Sequence, residues 1–128
     1  MTEPQVSIQS GARLRVTLQT TGLQGASGIG LRFSSASTTR TLTEGDKGSL
    51  GEFTAASEVT IAVPTGLSDF WECSFLQLGT GQLTVSPAVG VTIVSVHDNR
   101  KTYGQYSTIT LMRLTTADTF LLVGDLGS

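Results

Sequence analysis

Residues 77–93 read QLGTGQLTVSPAVGVTI, and this stretch has the pattern of two β-strands separated by a turn. Apolar residues occupy every second position on both sides of a Pro-Gly turn, at Leu83 and Val85 before it and at Val91 and Ile93 after it. Such alternation is typical of strands with one buried face, whereas Gly and Pro mark turns. The stretch therefore predicts β-structure, and it contains no side chain that would suggest catalysis.

The same alternation recurs in both directions along the chain, at residues 59–63, 109–114 and 120–123. Turn clusters separate these segments, and no window of about 11 residues has the period and caps of a helix. Short strands at regular spacing indicate an all-β protein, and we predict a β-sandwich or jelly roll for residues 31–128.

Residues 69–79, DFWECSFLQLG, are apolar on both faces of a predicted strand. Trp71 and Cys73 fall on one face with Phe75, and Phe70 and Leu76 fall on the other. We expect one face to contact the opposing sheet and the other to contact a neighbouring subunit.

The composition limits the classes of partner. The 128 residues suffice for one domain, charged residues make up only 14%, and 15 glycines favour a β-protein with many turns. A net charge of −2 argues against binding to nucleic acid. Because the sequence has no signal-peptide pattern and no apolar run of roughly 20 residues, we expect synthesis in the cytoplasm without membrane insertion.

The N-terminal residues predict a short arm and a linker. Val6 and Ile8 begin an alternating pattern, and Arg13 and Arg15 lie on the polar face of the next strand, so we predict a β-hairpin arm over residues 1–20. Glycine then recurs at every third position within residues 21–30, at Gly22, Gly25 and Gly28. This segment is either a flexible linker or a place where three chains run along a common axis.

No candidate catalytic group finds partners in the sequence. His97 and Asp98 are adjacent, which on a strand places them on opposite faces, and we predict an exposed turn there. Cys73 is the only cysteine, and its neighbours are apolar, so we predict a buried core residue. The spacing of four acidic residues matches no calcium loop, and we predict no catalytic, cofactor or metal site; these residues are Glu44, Asp46, Glu52 and Asp69.

Five segments in order resemble the β-rich domain that recurs in tailed-bacteriophage virion proteins. They are TLTEGDKGSLGEF, VTIAVPTGL, LGTGQLTVSPAVGVTI, KTYGQYSTITLMRL and DTFLLVGDL, and they lie within residues 40–126. The sequence departs from the family pattern at Phe120, where a Trp is common. The resemblance implies a β-domain of capsid-decorating proteins, head fibres and fibre tips, which are commonly trimers.

We therefore expect a non-enzymatic virion protein, a homotrimeric capsid decoration, cement or head-fibre protein that docks on the major capsid protein or another virion protein. The predicted docking residues are Val6, Ile8, Arg13 and Arg15, and the predicted trimer contacts are Gly22, Gly25, Gly28, Phe70 and Leu76. The alternative is a tail-fibre tip that contacts a host-surface glycan through Trp71, Tyr103 and Tyr106. A depolymerase would need a pair of nearby carboxylates, and the sequence suggests none.

Overall fold

A computed structural model describes residues 31–128, and within this range the chain is all-β, as predicted. Single turns of 3-10 helix occur at Glu44–Asp46 and Val96–Asp98. The strands are β1 (Leu31–Ser35), β2 (Thr39–Thr41), β3 (Ser49–Phe53), β4 (Val59–Val63), β5 (Glu72–Gln77), β6 (Leu83–Pro87), β7 (Thr92–Ser95), β8 (Lys101–Thr102), β9 (Thr108–Arg113), β10 (Thr119–Gly124) and β11 (Leu126–Gly127).

The first six strands wind as a β-solenoid. Successive strands alternate between two sheets, so that β1, β3 and β5 pair in parallel in one sheet and β2, β4 and β6 pair in parallel in the other. Each coil consists of one strand from each sheet. The registers, such as Leu31 opposite Ser49 and Val59 opposite Leu83, stack each coil directly on the next.

The prediction of a β-sandwich or jelly roll is wrong. Those folds are built from antiparallel strands, whereas the solenoid coils pair in parallel. The turn at residues 87–90 likewise does not form a hairpin, because it carries the chain from β6 in one sheet to β7 in the other. An alternating strand buries one face in either architecture, so the apolar pattern could not distinguish them.

The C-terminal strands complete both sheets with mixed pairing. In the six-stranded sheet, of order β1-β3-β5-β9-β10-β7, strand β9 is antiparallel to β5 and β10, and β7 is parallel to β10. In the five-stranded sheet, of order β11-β8-β6-β4-β2, strand β8 is antiparallel to β6 and β11. At this end of the stack of coils, each parallel set of strands is therefore followed by one strand of opposite direction, β9 in one sheet and β8 in the other.

The core lies between the two sheets and is formed by the inward residues of the alternating pattern. Val59, Ile61 and Val63 on β4 are buried and face the six-stranded sheet. Phe53 and Phe75 meet edge to face with their ring centroids 6.1 Å apart. Burial of such a side chain contributes about 1.5–3 kcal/mol, and these contacts hold the coils together.

Only one face of β5 is fully covered within residues 31–128. Trp71, Cys73 and Phe75 are buried, whereas Leu76 on the opposite face is half-buried and Phe70 is 86% exposed. Whether a neighbouring subunit covers that second face stays a prediction.

A buried polar pair connects the two sheets. The Thr102 hydroxyl on β8 donates to the Gln77 side-chain oxygen on β5, and it accepts a hydrogen bond from the backbone N–H of Leu83 at 3.0 Å. The Gln77 amide nitrogen donates to the carbonyl of Gly79 at 3.2 Å. Because each of these polar atoms has a partner, the pair aligns the sheets without leaving an unsatisfied group in the core.

The corners of successive coils approach each other closely at Gly79 and Gly81. A Cβ on Gly81 would overlap the backbone carbonyl of Ser57, and a Cβ on Gly79 would overlap that of Ala55. The Gly81 N–H also donates to the Ala55 carbonyl at 3.0 Å. Glycine is therefore required here by the contact between coils, a role that the sequence pattern alone indicated only as a turn.

The outer side of the first coil is covered by an arginine. The Arg40 guanidinium lies 3.9 Å from the centre of the Phe33 ring, which itself packs edge to face on Phe53. Arg40 also donates to the Asp46 carboxylate at 2.7 Å. These contacts cover the end of the core next to β1 and β2.

Candidate functional site

Several predicted site residues lie outside the described residues. These are the docking residues Val6, Ile8, Arg13 and Arg15 and the trimer-contact glycines Gly22, Gly25 and Gly28, which belong to the predicted arm (residues 1–20) and linker (residues 21–30).

Trp71 does not present its ring to a receptor, and that prediction is wrong. The side chain is fully buried, its ring packs edge to face on Phe120, and its Nε1 donates to the Thr43 carbonyl at 3.2 Å. Trp71 immediately precedes β5 with its side chain on the core face, so that it belongs to the core and not to a loop surface.

Tyr103 and Tyr106 are exposed, at 80% and 67%, on a tight turn formed by residues 103–107, which we call the Tyr loop. Backbone hydrogen bonds fix it: Tyr103 N–H donates to the Asp125 carbonyl at 2.8 Å, and Tyr106 N–H donates to the Gln77 carbonyl at 2.6 Å. The Gln105 side chain donates to the Leu78 carbonyl at 2.9 Å. The two aromatic rings are therefore held on an anchored loop, an arrangement that lowers the entropy lost when a partner binds.

Tyr106 has a φ of 72°, in the left-handed region that bulky side chains rarely adopt. Backbone strain of this kind persists only where surrounding contacts enforce it, and it is found most often at binding and catalytic sites. Whether the Tyr loop contacts a receptor stays a prediction.

A second anchored turn, residues 68–71, carries Phe70; we call it the Phe70 turn. The Trp71 N–H donates to the Ser68 carbonyl at 3.2 Å, and Phe70 has a φ of 62°. Three ionic groups fix the turn, two from the 3-10 turn that begins at Glu44 and one from β9. Glu44 accepts from the backbone N–H of Ser68 at 3.0 Å and from its hydroxyl, Lys47 Nζ donates to the Asp69 carbonyl at 3.0 Å, and Arg113 pairs with the Asp69 carboxylate.

The charges in this turn are engaged in structural contacts. The hydrogen bonds from Ser68 lower the pKa of Glu44, because they stabilise its ionised form. Asp69 and Arg113 are 44 residues apart in sequence, so no local pattern indicated their pairing. The only local indication of the turn was the polar Ser-Asp pair before two aromatic residues.

The Tyr loop and the Phe70 turn lie at opposite ends of β5. The Tyr loop bonds to Gln77, where β5 ends, whereas the Phe70 turn immediately precedes Glu72, where β5 begins. The two turns therefore lie on opposite sides of the solenoid, one where the strands of this sheet begin and one where they end, and other elements hold each of these aromatic turns in place.

The remaining polar candidates are dispersed. His97 and Asp98 lie on an exposed turn, as predicted, where Asp98 pairs with Arg100 at 3.2 Å. Asp46 accepts from the backbone N–H of Thr43 at 3.0 Å in addition to its Arg40 pair. Across residues 31–128, no three side chains among His, Cys, Asp and Glu are grouped in a way that could hold a metal ion.

Cys73 is buried, as predicted, and burial in the core raises the pKa of its thiol to about 12. The thiolate is the reactive form, and at about pH 8 its fraction is roughly a thousandfold below that of a thiol of ordinary pKa. We therefore expect an aromatic disulfide reagent to leave the native protein unmodified at that pH and to react rapidly after unfolding in guanidinium chloride.

The same shift makes stability depend on pH. Between about pH 9 and 12 the unfolded chain loses the Cys73 proton while the native chain keeps it, so this contribution to stability falls as the pH rises. A Cys73→Ala variant should lack this component of the alkaline loss. In the experiment with the aromatic disulfide reagent, a native thiol that reacted as fast as the thiol of the unfolded chain would show that Cys73 is not buried.

No family model matches the chain, and no curated protein matches it either. In the part of the chain that the structure describes, no helix is long and apolar enough to cross a membrane.

Proposed function

We propose that this protein is a non-enzymatic structural component of a tailed-bacteriophage virion, a homotrimeric capsid decoration, cement or head-fibre protein. The observation that carries the proposal is the pair of exposed aromatic turns on opposite sides of a stacked β-fold. Hydrogen bonds hold the Tyr loop, and ionic contacts also hold the Phe70 turn, which suits contacts between protein surfaces better than chemistry on a substrate. The assignment to a virion rests on the resemblance of residues 40–126 to the β-rich domain of virion proteins.

The two sides suggest a division of roles. Because β1, β3 and β5 run parallel, the chain that precedes residue 31 joins the fold on the side that carries the Phe70 turn. Under this proposal residues 1–30 dock on the major capsid protein or another virion protein, so the Phe70 side faces the particle. The Tyr loop then lies toward the outside.

The test is immunogold electron microscopy of purified phage particles with an antibody raised against this chain. Gold distributed over the head is the expected result, and it assigns a decoration or head-fibre role. Particles free of the protein, when the producing cells contain it, would contradict the proposal.

A second candidate is a tail-fibre tip that binds a host-surface glycan, and the exposed, strained Tyr loop favours it. Gold confined to the tail tip would support this function. Double replacement of Tyr103 and Tyr106 by alanine should then reduce adsorption to host cells while the protein stays on the particle. Unchanged adsorption would eliminate the Tyr loop as the receptor contact.

A further inference from the structure

Phe70 combines features that residues 31–128 do not explain. Its side chain is 86% exposed, and its backbone has a φ of 62°. Glycine would adopt this conformation at no steric cost, whereas a bulky residue is strained there. Within the described part of the chain the aromatic ring receives little burial in return. Strain of this kind, enforced by surrounding contacts, indicates a role for the side chain in binding.

Phe70 projects between two grooves and lines both of them. The larger has a volume of about 510 Å³ and is lined by Asp69, Phe70, Arg113, Leu114, Thr115 and Thr116. The smaller, of about 310 Å³, lies between the starts of β3 and β5 and includes Lys47 and Glu72 in its lining. A projecting aromatic ring and a groove able to receive one therefore lie side by side on the same surface.

The charges on this surface suit a second copy of the chain. The larger groove contains Asp69 and Arg113, and the smaller contains Lys47 and Glu72, so each has one carboxylate and one cation. A surface of a single sign would repel an identical surface, whereas in the larger groove Asp69 and Arg113 pair with each other, so a second copy meets no net charge there. Neither groove has the excess charge that would select a phosphate or a polyanion.

The position of the Phe70 turn also points to a second copy. The turn is on the side of the solenoid where the chain before residue 31 joins β1. In the homotrimer of the proposed function, three-fold symmetry places the Phe70 turns of the three copies at the same level of the assembly.

We infer that the Phe70 turn is a self-association site, in which Phe70 of one protomer inserts into the larger groove of a second copy. Because the ring and the groove are different parts of one surface, the contact repeats from copy to copy and can close as a ring. An aromatic residue centred in a groove and surrounded by polar groups is the usual form of an interface hot spot. The inference rests on the proposed function only for the number of copies, three.

The test uses the full chain and two matched substitutions. Phe70→Gly removes the ring and suits the local backbone. Tyr106→Gly does the same for the other exposed aromatic residue with a positive φ, on the opposite side. The mass of each protein is measured over a range of concentrations by sedimentation equilibrium, and circular dichroism confirms that each is folded.

We expect the wild-type protein and Tyr106→Gly to associate equally. Phe70→Gly should be folded but associate about tenfold or more weakly, as removal of a hot spot does. A wild-type protein that is monomeric throughout would overturn the inference, as would a Phe70→Gly variant that associates normally. Immunogold labelling of particles decides the virion role independently of these outcomes, so the two proposals can fail separately.

Discussion

Replacing Trp71 by alanine is expected to lower the free energy of unfolding by about 3–5 kcal/mol. The side chain is fully buried, it packs on Phe120, and its Nε1 hydrogen bond to the Thr43 carbonyl joins β5 to the preceding coil. The truncation leaves a cavity in the core and removes the hydrogen-bond donor of that carbonyl. Urea unfolding followed by circular dichroism measures the loss.

Trp71→Phe is the matched control, because phenylalanine refills part of the volume without restoring the hydrogen bond. We expect this variant to be more stable than Trp71→Ala and less stable than the wild type. If Trp71→Ala were as stable as the wild type and instead lost adsorption to host cells, the residue would be a surface contact and its buried position would be refuted.

Replacing Gly81 by alanine should destabilise the protein by about 3 kcal/mol, at the upper end of the usual cost of overpacking. The added methyl group would overlap the Ser57 carbonyl of the preceding coil, and backbone cannot move aside as a flexible side chain can. One of the two corners must therefore shift, which breaks the hydrogen bond from Gly81 N–H to the Ala55 carbonyl.

The control for this substitution is Gly104→Ala, since a Cβ at Gly104 would meet no atom within 4 Å. We expect its stability to change by no more than about 0.5 kcal/mol, as is usual at open surface positions. Equal effects of the two substitutions would show that the corners of the coils are not in close contact, and this would count against a stacked solenoid.

The sequence predicted strands far better than it predicted their arrangement. The alternation at residues 59–63 and the apolar faces of residues 70–78 located β4 and β5, because burial of one face imposes the same period in any sheet. Whether Val59 pairs with Leu83 in parallel depends on backbone hydrogen bonds between residues distant in sequence. Those bonds leave no local signature, so the jelly-roll prediction had no means of detecting them.

The exposed aromatic residues show the same limit. Trp71, Tyr103 and Tyr106 were predicted together as exposed glycan contacts, and only the two tyrosines are exposed. In residues 70–71 two aromatic side chains are adjacent, and the pattern could not tell which would enter the core. The outcome depends on Arg113, Lys47 and Glu44, which hold the Phe70 turn from elements remote in sequence.

The two ends of the stack of coils differ, and this difference determines how such a molecule can change in length. At one end of the stack of coils, β1 and β2 present their outer edges, and no strand within residues 31–128 pairs with these edges. At the other end the two sheets finish with the short strands β7 and β11, and such short edge strands offer little backbone for pairing with another chain. Whole coils can therefore be inserted or deleted at the β1 end during evolution, because each coil contacts only its neighbours. Such insertions or deletions would leave the Tyr loop and the hydrogen bonds that hold it unchanged.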